Sequence, residues 1–137
     1  MGDLTARLSR HEFACQDNCG FDACDIELLE CLEDVADHFA TRMQGVVRVI
    51  IDIRGGNRCV ERNISEGGVS NSQHLFGLAA DFKLWAQYSA GNRVQIDPNQ
   101  VAQYLNNKYI GKYGIGWYSN RTHFDVRANG PARWDAR

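Results

Sequence analysis

Two stretches of this chain combine the alternation of a β-strand with an ionisable side chain at their centre, and they restrict the fold more than any other feature. In residues 77–85 (GLAADFKLW), period-two geometry puts Gly77, Ala79 and Asp81 on one face and Leu78, Ala80, Phe82 and Leu84 on the other. In residues 122–127 (THFDVR) it aligns His123, Asp125 and Arg127 opposite Phe124 and Val126. A carboxylate on a strand whose other face is apolar is costly to bury unless something positive meets it. The small neighbours of Asp81 leave room for such a partner, and a metal ion is one candidate.

The remaining pattern supplies a scaffold for these strands. Leu28, Leu32, Val35, Ala36 and Phe39 recur at helical spacing, which predicts a helix over 26–43 started by Asp25. The β-branched run 46–53 (VVRVIIDI) predicts a buried strand that ends at Arg54-Gly55-Gly56. Asp97, Pro98 and Gln100 announce a second helix over 98–109, as N-cap, first-turn proline and capping-box partner. Residues 114–118 (GIGWY) and 122–127 read as an antiparallel pair joined by Ser119-Asn120-Arg121. The expected architecture is α+β, a small, mainly antiparallel sheet flanked by helices. No repeat or Pro/Ser-rich linker interrupts the 137 residues, so one domain over 1–137 is expected.

Several classes of function are disfavoured. With 15 Lys and Arg against 17 Asp and Glu, no broad positive field is expected to draw in nucleic acid. No stretch approaches the ~20 apolar residues that span a bilayer, so no membrane insertion is expected. The opening residues MGDLTARLSRHEF lack the apolar core of a secretory signal, which implies synthesis in a cytoplasm. An odd set of cysteines, Cys15, Cys19, Cys24, Cys31 and Cys59, then reads as packed thiols rather than a disulfide framework. Trp117, Tyr118 and Trp134 are expected as core or rim aromatics.

The polar stretch from Gly55 to Gln73 is long for a connection inside a small domain, and loops of that length usually flank chemistry. His74 follows it, one turn before the Asp81 strand. If the strands lie close together, His74, Asp81 and His123 could converge. Two histidines, an aspartate and a position open to water are the composition of a catalytic rather than a structural zinc site.

Ser72-Gln73-His74-Leu75-Phe76-Gly77-Leu78-Ala79-Ala80-Asp81 resembles the S-x-H-x-x-G-x-A-x-D signature of the zinc D-alanyl-D-alanine carboxypeptidase family, which itself resembles the zinc-bearing Hedgehog domain. The later Gly114-Ile115-Gly116-Trp117-Tyr118 and His123-Phe124-Asp125 are similar to the strand pair that closes the family's site. Arg54-Gly55-Gly56, Cys59, Asn63 and Gly67-Gly68 resemble the stretch after its first strand. His11-Glu12-Phe13 through Cys19-Gly20-Phe21 is similar to the opening of a compact branch found in phages and prophages, so the resemblance runs from about residue 9 to 134.

The resemblance implies the Hedgehog/DD-peptidase fold and one zinc ion on His74, Asp81 and His123. It also places Arg54 where the family binds substrate, with Ser72 and Gln73 beside the site to orient the His74 turn or the substrate. Many members carry a glutamate or histidine two or three residues before the last zinc histidine, whereas this chain has Asn120 and Arg121. Asp125 is the best local substitute as proton acceptor, or else a carboxylate that orients an imidazole; Glu66 is a more distant candidate. The activity implied is cleavage of peptidoglycan stem peptides, as a D,D-carboxypeptidase or an endopeptidase of endolysin type. The protein would work as a monomer, reaching the wall after release or as part of a phage particle. The alternative is a zinc-stabilised binding or phage structural module without turnover.

Overall fold

The structure is a computed structural model and describes residues 2–15, 24–56, 73–128 and 130–137. Helix α1 (Ile26–Arg42) begins where the Asp25 side chain accepts a bond from the Glu27 N–H at 2.8 Å, one of the donors that a helix start leaves without an internal partner. Its apolar stripe, Leu28, Leu32, Val35, Ala36 and Phe39 with Leu29 and Cys31, is buried. Strands β1 (Val46–Gly55), β2 (Ala79–Tyr88) and β3 (Arg93–Gln95) follow. Helix α2 (Pro98–Lys108), capped by Asp97 through Asn99 N, precedes β4 (Gly114–Trp117), β5 (Thr122–Asp125) and β6 (Ala132–Asp135). Among the described residues, no helix is long and apolar enough to cross a membrane.

The strands form one sheet in the order β1-β2-β5-β4-β6, with β3 also paired to β2. All pairings are antiparallel except β4 with β6. The expected α+β architecture is therefore present, with two additions. Strands β3 and β6 are three and four residues long, too short for their alternation to stand out from turn sequence. The strand expected over 77–85 runs instead over Ala79–Tyr88, because Gly77 adopts a left-handed φ of 71° and closes the short 3-10 helix Gln73–Phe76.

The sheet has two unlike faces. Val49 and Ile51 of β1, Ala80, Phe82, Leu84 and Ala86 of β2, Ile115 of β4 and Phe124 of β5 point to the helices and meet Leu28, Leu32, Val35, Val101 and Leu105. Fully burying such side chains stabilises the fold by roughly 1.5–3 kcal/mol each. The opposite face, called here the outer face, carries Asp81, Lys83 and Trp85 of β2, paired across β1 with Gly55, Asp52 and Ile50. His123 and Asp125 of β5 lie on the same face, paired with Asp81 and Ala79. The N-terminal arm is fastened alongside by Arg7, which donates to Val49 O at 3.0 Å and pairs with Glu33 at 2.5 Å and Asp37 at 2.8 Å.

Leu32 is completely buried on the helix side, away from the outer face. Leu32→Ala is expected to lower unfolding free energy by about 2–5 kcal/mol in denaturant melts. It should leave the metal stoichiometry of the folded protein unchanged. Loss of metal binding in a variant that remains folded would show that the two faces are not separable in this way.

Candidate metal centre

Register alone assembles most of the site. Asp81 lies opposite Gly55 on one neighbour and opposite His123 on the other, so the aspartate and a histidine are adjacent rungs of one ladder. The turn at Gly77 brings His74 back over the same rung. Suitable ligand atoms of His74, Asp81 and His123 all lie within 4.8 Å of one another, and all three residues are buried. The imidazoles meet edge to face with ring centroids 5.2 Å apart.

The hydrogen-bond partners constrain where protons sit on the ring nitrogens. His74 Nδ1 lies 2.6 Å from Gly56 O; a carbonyl only accepts, so Nδ1 is the donor and Nε2 keeps its lone pair. That lone pair faces Asp81 Oδ2 at 3.3 Å. His123 has a carboxylate at each nitrogen, Asp125 Oδ2 at 2.8 Å from Nε2 and Asp81 Oδ1 at 2.9 Å from Nδ1; the protonated ring donates to both, and a ring with Nδ1 free for a metal keeps Nε2 as the donor to Asp125. With His74 Nδ1 and His123 Nε2 engaged as donors, the inward nitrogens of the two neutral rings and a carboxylate converge on one small volume. Such a convergence is repulsive unless positive charge sits within it, supplied by protons on the imidazoles or by a metal ion. Two nitrogens and one oxygen aimed at one point are also the donor types and number of a zinc site that keeps a position for water, so these residues fit the ion.

The charge on these groups follows from the same contacts. Burial would push the Asp81 carboxyl up, but bonds and charge from His123 and His74 outweigh it and hold the group far below the usual carboxylate range. Burial opposes protonation of His123, yet Asp125 and Asp81 raise its pKa above the ordinary imidazole value. Asp125 is 0 % exposed. Its Oδ1 accepts from Arg127 N at 3.2 Å and Nε at 2.7 Å, and its Oδ2 accepts from Arg127 Nη2 at 2.7 Å and from His123. Against the upward push of burial, these bonds also hold Asp125 low and ionised.

The other expected site residues are placed as follows. Arg54, at the end of β1, is one residue from the Gly55 that pairs with Asp81; its side chain is 55 % exposed and its Nη1 lies 3.4 Å from Asp52 Oδ2. Gln73 opens the short helix that carries His74, and its carbonyl accepts from Leu78 N at 3.4 Å. Ser72, Glu66, Asn63, Gly67, Gly68, Cys19 and Cys59 lie outside the described residues. Asn120 and Arg121 sit at the surface, where Arg121 donates to the Asn120 side chain and stacks on the Tyr118 ring at 4.0 Å.

Trp134 is the contact that the sequence reading did not assign to the site. Its ring lies 4.8 Å from the His123 ring and 5.8 Å from the Arg127 guanidinium carbon, and its Nε1 donates to Tyr118 OH at 3.0 Å. A Cβ at Gly116 would stand 2.6 Å from the indole, so only glycine lets the ring lie against the strand. The signal available was the G-x-G alternation of residues 114–116, which strips side chains from the rungs beside His123 and Asp125.

Two measurements check this centre. Asp81→Ala should lose stoichiometric zinc and melt at a lower temperature than the zinc-loaded protein; retained zinc would refute the ligand assignment. Binding must displace any proton held at His123, whose pKa lies above the usual ~6.5. Apparent zinc affinity, read by chelator competition, should therefore fall as pH is lowered from 8 to 6, and a flat profile would contradict the proton count.

A family model described as Peptidase M15 matches residues 6–125. No curated protein matches the chain at a significant level. The match covers both strands of the ladder, the histidine turn and the N-terminal arm, and the mixed, mostly antiparallel sheet with its His-Asp-His cluster is consistent with the Hedgehog/DD-peptidase fold. The chain belongs to the peptidase M15 family, the zinc D-alanyl-D-alanine carboxypeptidases.

Proposed function

We propose that this protein is a zinc-dependent peptidase that hydrolyses stem peptides of bacterial peptidoglycan, as a D,D-carboxypeptidase or an endopeptidase of endolysin type. The observation that carries the reading is the convergence of His74, Asp81 and His123 on one point of a face that also holds Arg54, within a chain of a zinc peptidase family. Bound zinc would lower the pKa of a water toward ~7 and polarise a carbonyl.

The chain's own residues are assigned the remaining tasks. Arg54, one residue from the Gly55 that pairs with Asp81, would hold a peptide carboxylate or the carbonyl oxygen as negative charge develops on it. Asp125 is assigned to orienting His123 rather than to taking a proton, supported by its complete burial and by the donors on both of its oxygens. Glu66 is then the candidate proton acceptor. The protein would act as a monomer, on the wall, after release from the cell or as part of a virion.

The second reading is a zinc-stabilised module without turnover. It is favoured by Asn120 and Arg121, neither of them a base, at the positions where many relatives carry one, and by the engagement of Arg121 with Tyr118 and Asn120.

Release of new amino groups from purified peptidoglycan separates the readings: the peptidase generates them and the module, with zinc bound, does not. Arg54→Lys should lower kcat/KM by about 10-fold or more with full zinc, because an ammonium cannot reproduce the planar fork. Asp125→Asn should weaken zinc affinity by about 10–100-fold. Glu66→Gln should instead reduce kcat with zinc retained. If Asp125→Asn keeps wild-type zinc affinity and loses turnover, the two roles are exchanged.

A further inference from the structure

The bond that turns His74 Nε2 toward Asp81 ends on the carbonyl of Gly56, 2.6 Å from Nδ1. That carbonyl lies just past the sheet. The ladder between β1 and β2 closes on the pair Gly55 and Asp81, so Gly56 is the first residue beyond its register. Gly56 is nevertheless buried, and a Cβ added to it would stand 2.8 Å from Phe13 Cα and 2.9 Å from Phe13 O. The backbone of the N-terminal arm therefore lies directly against it. Gly56 does not carry a left-handed φ, so what glycine supplies here is room for that approach rather than an unusual turn.

The arm is built to hold its position. Phe13 ends the short 3-10 helix Arg10–Phe13, and its side chain, 1 % exposed, belongs to the hydrophobic core, as does the completely buried Leu8. Between these anchors the arm is tied to itself, with Asp3 Oδ1 accepting from Arg10 N at 2.9 Å, Asp3 N donating to Ser9 Oγ at 3.1 Å and Glu12 Oε1 accepting from Ser9 N at 2.9 Å. It is also tied to the body, through Thr5 Oγ1 donating to Glu33 Oε2 at 2.6 Å and Arg7 Nε donating to Val49 O at 3.0 Å. Two buried side chains and bonds to α1 and β1 make a brace, and the brace ends on Gly56.

We infer that the N-terminal arm is part of the metal centre, with Phe13 as a positioning residue: its backbone, held against Gly56, fixes the carbonyl that orients His74 for the ion. Phe13 acts through Gly56 and His74 rather than on the ion itself. A loosened arm lets the carbonyl drift, and an imidazole that loses its orienting acceptor holds metal about 10–100-fold less tightly. The inference rests on His74, Asp81 and His123 holding zinc, as the proposed function does, and is independent of turnover.

The test measures zinc affinity by chelator competition in the full chain and its variants, together with the visible absorption bands of each protein saturated with cobalt(II), which report ligand geometry. Phe13→Ala removes an anchor of the brace, and Gly56→Ala drives a methyl group into the Phe13 backbone. Each should weaken zinc about 10-fold or more and shift the cobalt bands. Phe13→Leu, which keeps most of the buried anchor, should stay near the wild type. Arg7→Gln loosens the arm while leaving every core side chain in place, and should weaken zinc in the same direction by a smaller factor. Leu32→Ala, which lowers stability from the helix side, should keep wild-type affinity and bands. Wild-type affinity and bands in Phe13→Ala, Gly56→Ala and Arg7→Gln would overturn the role of the arm, and so would an equal loss in Leu32→Ala, which would trace the effect to stability alone. Zinc binding that depends on the arm, in a protein that cleaves no peptidoglycan peptide, would count against the peptidase reading and leave this inference standing.

Discussion

The outer face is organised around the Asp81 carboxylate, which is buried with an imidazole nitrogen on each of two sides. An isolated ion in such a place would be driven to its neutral form. Here the opposite holds, because bonds and charge from His123 and His74 outweigh burial, while the other nitrogen of each ring is engaged elsewhere, by Gly56 O and by Asp125. In the neutral rings, donation along those two remote bonds leaves lone pairs facing inward. Positive charge is therefore required at the centre for the same reason that Gly56 and Asp125 are where they are.

A second consequence concerns rigidity. His123 is held from three directions, by Asp125 at Nε2, by the tilted Trp134 ring 4.8 Å away and by the β-ladder through its backbone. Asp125 is in turn fixed by a two-pronged Arg127, whose guanidinium also lies near Trp134. Metal-binding histidines commonly need such support to hold ring orientation. The bareness of Gly114 and Gly116 on the adjoining strand is what admits it, since a side chain at either would collide with Asp125 or with Trp134.

Much of this was legible in the sequence, for identifiable reasons. Strong periodicity and capping chemistry located α1, β1 and α2 nearly to the residue. The shared face of His123, Asp125 and Arg127 was readable because period-two geometry leaves no choice once a strand is recognised. What escaped was of a different kind. β6 and β3 carry too few residues to show a period, and the placement of Trp134 near His123 depends on the long-range pairing of β6 with β4. Local sequence does not encode which strands become neighbours. Nor could it separate the two roles open to Asp125, a choice that turns on how many donors reach it in three dimensions.

The accuracy of the centre comes from the apolar half of the sheet. In β2 and β5 the ionisable residues alternate with Ala80, Phe82 and Phe124, all completely buried against the helices. Slipping either strand by one residue would turn Asp81 or His123 into that core and expose a phenylalanine, because the side-chain period is two. Losing one such buried aromatic costs roughly 3–5 kcal/mol, before the cost of an unpaired buried charge is counted. Since a stable domain has only about 5–15 kcal/mol in all, no slipped register can compete. The hydrophobic alternation thus sets the separation of the ligand atoms, and the site inherits a geometry that its own mutually repelling lone pairs would never assemble.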